Sequence, residues 1–404
     1  MSDHSAKRPE EIPIRQFLDF VCLEGQRVLK HRRECTPRRY NQAVQLLRSL
    51  SIVLLVSAAA AAQVDPKTAL LERDAWEALN AGRARAAADA FREALEADPK
   101  NARLHLGAAV AAFLERRDAD AREEAERALA LDAKLADARD VLGQVLHRMG
   151  DLPGAIRAFE ALTAAKPDDA DAAAVLDRWR REAELHDRMQ QAIGPHFTVS
   201  FEGPEDAALA DAALASLDRA YWRIGQVLGT FPAAPVPVIL YTAEQFTDIT
   251  RSPAWAAGLF DGAIRIPMRG AIENVKELDR VLAHEFTHAL VRSLAPRGVP
   301  TWLKEGLATA LETGEPSRAE RRIAEAHAAV PLTALQTSFG RLSSNEAQLA
   351  YATSALAVRR LVDESGGFAV ANLLRDLGEG VDFETAFLHR IQRPLADFES
   401  DLRN

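Results

Sequence analysis

The side chains best suited to chemistry in this chain sit in five consecutive residues, His284-Glu285-Phe286-Thr287-His288. On a helix, residues four apart lie on one face about a turn apart, so His284 and His288 can aim two imidazoles at a single ion. Neutral imidazole is a good Zn²⁺ ligand, and a catalytic zinc keeps three protein ligands plus one position for water. Glu285, one step round the helix, is placed to take a proton from that water. The chemistry implied is metal-assisted hydrolysis.

Such a pentapeptide also arises by accident, in roughly a few per cent of chains with this histidine content. The elements that position it must therefore decide. Leu278, Val281, Leu282, Phe286, Ala289 and Leu290 recur at helical spacing, which predicts a largely buried helix over 278–290. Glu285 projects near that apolar side, where a carboxylate without a partner or a function is costly.

The third ligand determines the kind of site. The longer pattern H-E-x-x-H-x-x-G-x-x-H fails, because Val291 and Leu294 stand where it needs Gly and His. Pro300 to Leu311 is a second helix candidate, with Pro300 near its start and Trp302, Leu307, Ala308 and Leu311 apolar. Glu305 lies on it, 17 residues after His288, enough chain for an antiparallel return. Two His and one Glu form a known hydrolytic zinc set. Glu312, two turns further on, is the competing carboxylate. Tyr351, on a helix where Leu349, Ala352, Leu356 and Ala357 look buried, has two readings: a hydroxyl that stabilises an oxyanion, or a core tyrosine with its hydroxyl satisfied. His327 and His389 are weaker candidates for the same role, since lone histidines on helices are more often structural. Trp302 is assigned to packing beneath the ligand helix, and Arg359-Arg360 to an exposed basic pair.

Three blocks together carry a family resemblance: H-E-F-T-H at 284–288, P-T-W-L-K-E-G-L-A at 300–308 and Y-A-T-S-A-L-A-V-R-R-L at 351–361. They resemble the gluzincin-type peptidase MA-like domain, often found in bacterial proteins that also carry tetratricopeptide repeats. The resemblance covers roughly 196–404. It implies His284, His288 and Glu305 as zinc ligands and Glu285 as catalytic base, and it supplies no substrate.

Upstream, residues 66–181 repeat with a period of 34. Ala87, Ala121 and Ala155 keep that step, as do Phe91, Ala125 and Phe159, and then Pro99, Ala133 and Pro167. Gly82 and Gly150 are two periods apart, with Arg116 in the middle slot. This is the tetratricopeptide signature, and about three units stack into a short solenoid whose concave face can hold a peptide or protein partner. The segment 171–192 reads as a capping or connecting helix. After Gly194-Pro195, alternating Phe197, Val199 and Phe201 predict a strand, 205–228 a long amphipathic helix, and Val236 to Tyr241 a second strand. Pro235 and Pro237 push that strand toward a sheet edge or limit its start. Gly262 to Met268 is a third candidate strand, and the resemblance to zincins implies that it runs beside the cleft, where its free edge would take an extended substrate. Helix breaks are expected at Pro296-Arg297-Gly298, Gly314 to Pro316 and Gly366-Gly367. The fold class is thus mainly α with an α+β part: a tetratricopeptide α-solenoid at 66–181 followed by a zincin-like α+β domain at 196–404.

Composition narrows the partners. A net charge of −9 argues against nucleic acid, which requires a concentrated basic face. Residues 1–48 are basic, with ten Lys/Arg against six Asp/Glu. Residues 49–62 form an apolar run too short to span a bilayer unbroken, but one that fits a signal-peptide core with cleavage before Gln63. Translation is expected to begin near Val44, making 44–62 the signal peptide and 1–43 an untranslated or disordered leader. The rival is a short anchoring or buried helix. Export to the periplasm or beyond follows, with membrane contact only through the signal segment. Cys22 and Cys35 both lie upstream and lack metal-ligand spacing, so the mature chain would carry no cysteine.

The expected function is hydrolysis of peptide bonds in a peptide or protein substrate. Two alternatives stand beside it: a non-catalytic scaffold in which the repeats bind and the zincin-like domain is inert, and hydrolysis of a non-peptide amide.

Overall fold

The computed structural model describes residues 66–203, 206–252, 257–267, 275–313, 315–336, 338–339 and 342–403. The expected leader and signal segment lie outside them. No helix of the described residues is long and apolar enough to cross a membrane.

Seven helices open the fold: α1 (Pro66–Asn80), α2 (Ala84–Ala97), α3 (Ala102–Leu114), α4 (Asp118–Leu131), α5 (Ala136–Arg148), α6 (Leu152–Ala165) and α7 (Ala170–His186). The 34-residue period reappears in the helix starts: α2, α4 and α6 begin at 84, 118 and 152, and α3, α5 and α7 at 102, 136 and 170. The residues that keep the period are the contact residues. Ala87, Ala121, Ala155, Phe91, Ala125 and Phe159 are all fully buried. Alanine where helices meet brings the backbones close, and each phenylalanine fills the gap between them. The slot shared by Gly82, Arg116 and Gly150 is a left-handed turn, at φ 73°, 59° and 84°. Arg116 adopts there a conformation that usually favours glycine.

The sheet follows, built from β1 (Gln190–Ile193), β2 (Phe197–Phe201), β3 (Val236–Tyr241), β4 (Leu259–Phe260) and β5 (Ile264–Pro267) in the order β1-β2-β3-β5-β4. Between them run α8 (Ala207–Leu228) and α9 (Ala243–Thr250). The outer pairings are antiparallel, and those of β2 with β3 and β3 with β5 are parallel.

Three expectations change here. Gln190–Ile193 is not the end of a connecting helix, because α7 stops at His186 and the chain turns into β1. β3 is central rather than an edge strand, and of the two expectations for its prolines it is the limit on its start that holds. Val236 donates to the His196 carbonyl on the β2 side, so the missing N–H of Pro237 falls on the other side, where pairing with β5 begins only at Val238. The third strand is likewise internal: β5 pairs on both sides, and the edge is the two-residue β4.

The helix that carries His284 and His288, α10 (Val275–Leu294), crosses this layer with Leu278, Val281, Leu282, Phe286 and Leu290 buried. A short connection through Gly298 returns the chain into α11 (Thr301–Glu312), whose Trp302, Leu303, Leu307 and Ala308 are fully buried. Then come α12 (Arg318–Ala326), a 3-10 turn (Leu332–Leu335), α13 (Ser344–Ser365), α14 (Gly367–Gly378), α15 (Phe383–Ile391) and α16 (Leu395–Arg403). Gly306 explains how tightly α11 is seated. A Cβ there would meet the Ser354 carbonyl oxygen of α13 at 2.4 Å, so only glycine allows this approach. Arg359 is not the exposed residue expected: it pairs at 2.7 Å with buried Glu320, while Arg360 pairs on the surface with Glu364.

Candidate metal centre

One helical turn separates His284 from His288, and the antiparallel return through 295–300 brings Glu305 to face both. His284 Nε2 and His288 Nε2 lie 3.2 Å apart, and Glu305 Oε2 is 3.9 Å and 3.6 Å from them. All three are part-buried, and their ligand atoms fall within 4.8 Å of one another. Around a tetrahedral zinc with bonds of ~2.0–2.1 Å, neighbouring donors are separated by roughly 3.4 Å. The three donors thus fit the edges of one face of such a shell. They are the sole cluster of this kind among the described residues.

Glu312 does not join them. It accepts a hydrogen bond from His284 Nδ1 at 3.0 Å, which leaves Nε2 as the free lone pair on the metal side. Arg280 holds Glu312 at 3.0 Å and is itself paired with Glu277. Arg223 of α8 donates to the carbonyls of Leu311 and Glu312, fixing the end of α11 from which Glu312 projects. The competing carboxylate of the sequence is therefore an orienting residue. His288 has no such support, since its Nδ1 is buried without a hydrogen-bond partner.

Glu285 is buried on the neighbouring face, 7% exposed. Gly258, just ahead of β4, lies against it: a Cβ there would stand 2.8 Å from Glu285 Oε1. Nothing in the sequence singles out this glycine, because the contact links residues 27 apart in separate elements.

The charges bear on one another. Burial, more than anything else, raises the Glu285 carboxyl above the ordinary range, and Glu305 adds to this while His288 and His284 oppose it. Burial also acts to raise Glu305, but His288, Lys304 and His284 outweigh it and hold that carboxyl well below the ordinary range. For His284, burial is outweighed by the Glu312 hydrogen bond and the Glu285 and Glu305 charges, and the imidazole is raised. A carboxylate kept ionised beside two imidazoles is the donor chemistry a divalent cation requires.

Tyr351 lies on α13 with its ring edge-on to Phe339, 5.2 Å between centroids. It is 36% exposed, as is Leu349, so neither is a core residue. Burial, then the charges of Glu305 and Glu285, raise its phenol. His327 caps α12 in a left-handed conformation and is exposed, and His389 is exposed on α15. Trp302 is fully buried, with its ring edge-on to Phe383.

Residues 216–403 match the Peptidase MA superfamily. The matched segment contains every residue of the centre. The repeats are similar to two solved structures. One is the first tetratricopeptide domain of Spaghetti (RPAP3) bound to an HSP90 peptide, 22% identical, covering 29% of this chain and 96% of that one, TM-score 0.29. The other is the second such domain of human RPAP3 in complex with an HSP70 peptide, 23% identical, covering 28% and 95%, TM-score 0.27. No curated protein matches the chain. The repeat assignment rests on the period and on the helix pairs that follow it.

Proposed function

We propose that the Peptidase MA domain is a zinc-dependent peptidase of the gluzincin type, with His284, His288 and Glu305 holding the ion. The observation that carries this reading is the convergence of those three donors beside a buried Glu285. The chemistry such an ion supplies when bound is Lewis acidity toward water and a carbonyl oxygen. Glu285 accepts the proton of the attacking water and returns it to the leaving amine. Glu312 keeps His284 in the tautomer that presents Nε2. The Tyr351 hydroxyl donates to the oxyanion formed at the scissile carbonyl. An extended peptide pairs strand to strand with β4, the sheet edge next to Gly258 and Glu285. The solenoid binds or positions a protein partner, and the chain acts after export through 44–62, in the periplasm or outside the cell.

The test is zinc content of the purified protein, wild type against Glu305→Ala, followed by peptide hydrolysis with Glu285→Gln. About one zinc per wild-type chain, lost in Glu305→Ala, supports the ligand set. Near-wild-type hydrolysis by Glu285→Gln would remove Glu285 from its role.

A further inference from the structure

Charged side chains tie the repeats to the hairpin that borders Glu285. Glu182, buried on α7, accepts a hydrogen bond from Arg265 Nη1 at 2.9 Å and another from His147 at 3.0 Å. Arg265, buried on β5, donates Nε to both carboxylate oxygens of Asp261, at 3.0 and 2.9 Å, and Nη1 to the Tyr241 hydroxyl at 2.6 Å. Asp261 sits in the turn between β4 and β5. From the other side, Arg292 lies on α10 one turn past His288. It donates to the Asp261 carbonyl at 2.9 Å, packs over the Phe260 ring, and approaches Asp118 of the second repeat unit to 3.7 Å. Asp118 is itself paired with Arg148.

The turn is thus gripped twice, and a repeat carboxylate stands behind each grip. Removing one member of such a network leaves the others as uncompensated buried charge, so the arrangement is held as a unit. The hairpin so held begins beside Gly258, in contact with Glu285. A hairpin that shifts moves both the wall of Glu285 and the edge strand.

We infer that the solenoid is a positioning part of the cleft: Glu182 and Asp118, acting through Arg265, Asp261 and Arg292, set where the β4–β5 hairpin stands against Glu285 and so how an extended peptide fits. Its consequence for turnover rests on the peptidase reading above, whereas the grip on the hairpin does not. The solenoid would then be as necessary for substrate fit as the metal ligands are for the reaction. Glu182 and Asp118 are positioning residues that never touch substrate.

A bond elsewhere on the same junction supplies the control. Arg181 of α7 makes an exposed pair with Asp248 of α9 at 3.0 and 3.2 Å. The experiment compares full-length wild type, Glu182→Gln, Asp118→Asn and Arg181→Ala, by hydrogen exchange over 257–267, zinc content and cleavage of a quenched fluorescent casein. Glu182→Gln and Asp118→Asn are expected to speed exchange across the hairpin and raise KM about three- to tenfold, with kcat within about twofold and zinc unchanged. Arg181→Ala is expected to change none of these. Should Glu182→Gln fail to fold, the part-buried Asp118 carries the comparison. Wild-type exchange and KM in the folded variants, or an equal shift in Arg181→Ala, overturn the inference. If wild type leaves casein uncut, the peptidase reading loses its support, and hairpin exchange alone decides whether the repeats hold it.

Discussion

The solenoid and the domain that follows it use their residues in opposite ways. In the solenoid, Ala87, Ala121 and Ala155 do the same job three times, and each is buried in the same kind of helix contact. In the C-terminal domain, His284, Glu285, His288 and Glu305 each have one position and no substitute. A repeated role spreads the consequence of damage over stability, whereas a unique role concentrates it in chemistry.

Mutations can break or sharpen that contrast. The largest effect is expected from His284→Ala, which removes one of three ligands: zinc falls from about one per chain to near none by atomic absorption, and hydrolysis goes with it. Glu285→Gln comes next, keeping zinc and fold while turnover drops about 10²- to 10⁴-fold in a peptide assay. Glu312→Gln leaves the ligand set whole but weakens the support of His284, and zinc affinity by competition with a chelator should fall about 10- to 100-fold. Phe159→Ala acts in the solenoid, where the ring packs on Trp179 at 4.5 Å between centroids. It should cost about 3–5 kcal/mol in denaturant unfolding and leave zinc per folded chain unchanged. Zinc loss in that variant would show that the two halves fail together.

The smallest effect lies at their junction. The Glu182 carboxyl is held down to about 2 from an ordinary 4.5; burial opposes this, and the His147 and Arg265 contacts outweigh it. A carboxylate lowered in the folded state stabilises it fully above the unfolded value, and that stability is lost as pH falls toward the folded one. Melting temperature should therefore drop between about pH 4.5 and 2, more steeply in wild type than in Glu182→Gln. Parallel curves would remove Glu182 from that role.

Legibility in the sequence follows the same division. The repeats were readable because their signal is periodic at 34, whereas the left-handed turn at Arg116 was not, since its residue type gives no sign of one. The helices of the centre were readable from apolar spacing, and Glu305 from its distance to His288. What escaped depends on contacts between distant elements. Pro237 could not reveal that its missing N–H falls outside the β5 ladder. Glu312 has the residue type of a ligand, and only the orientation of α11 makes it a partner of His284 Nδ1 instead. Arg265 and Arg292 look like ordinary surface charges until β5 and α10 set them on either side of Asp261.

The helix-pair turns meet the C-terminal domain at three successive levels. Arg85 donates to the Gly380 carbonyl at 2.6 Å, the Glu115 carbonyl accepts from Arg297 at 3.4 Å, and the Arg148 carbonyl faces Gly262. Solenoids commonly gain and lose whole units between relatives, because each unit touches only its neighbours. In this protein every unit also touches something that does not repeat. Duplicating or deleting one would carry the attachments beyond it out of register by a full step. The C-terminal domain works as a ruler, and descendants of this chain can vary the faces of their repeats far more freely than the number of them.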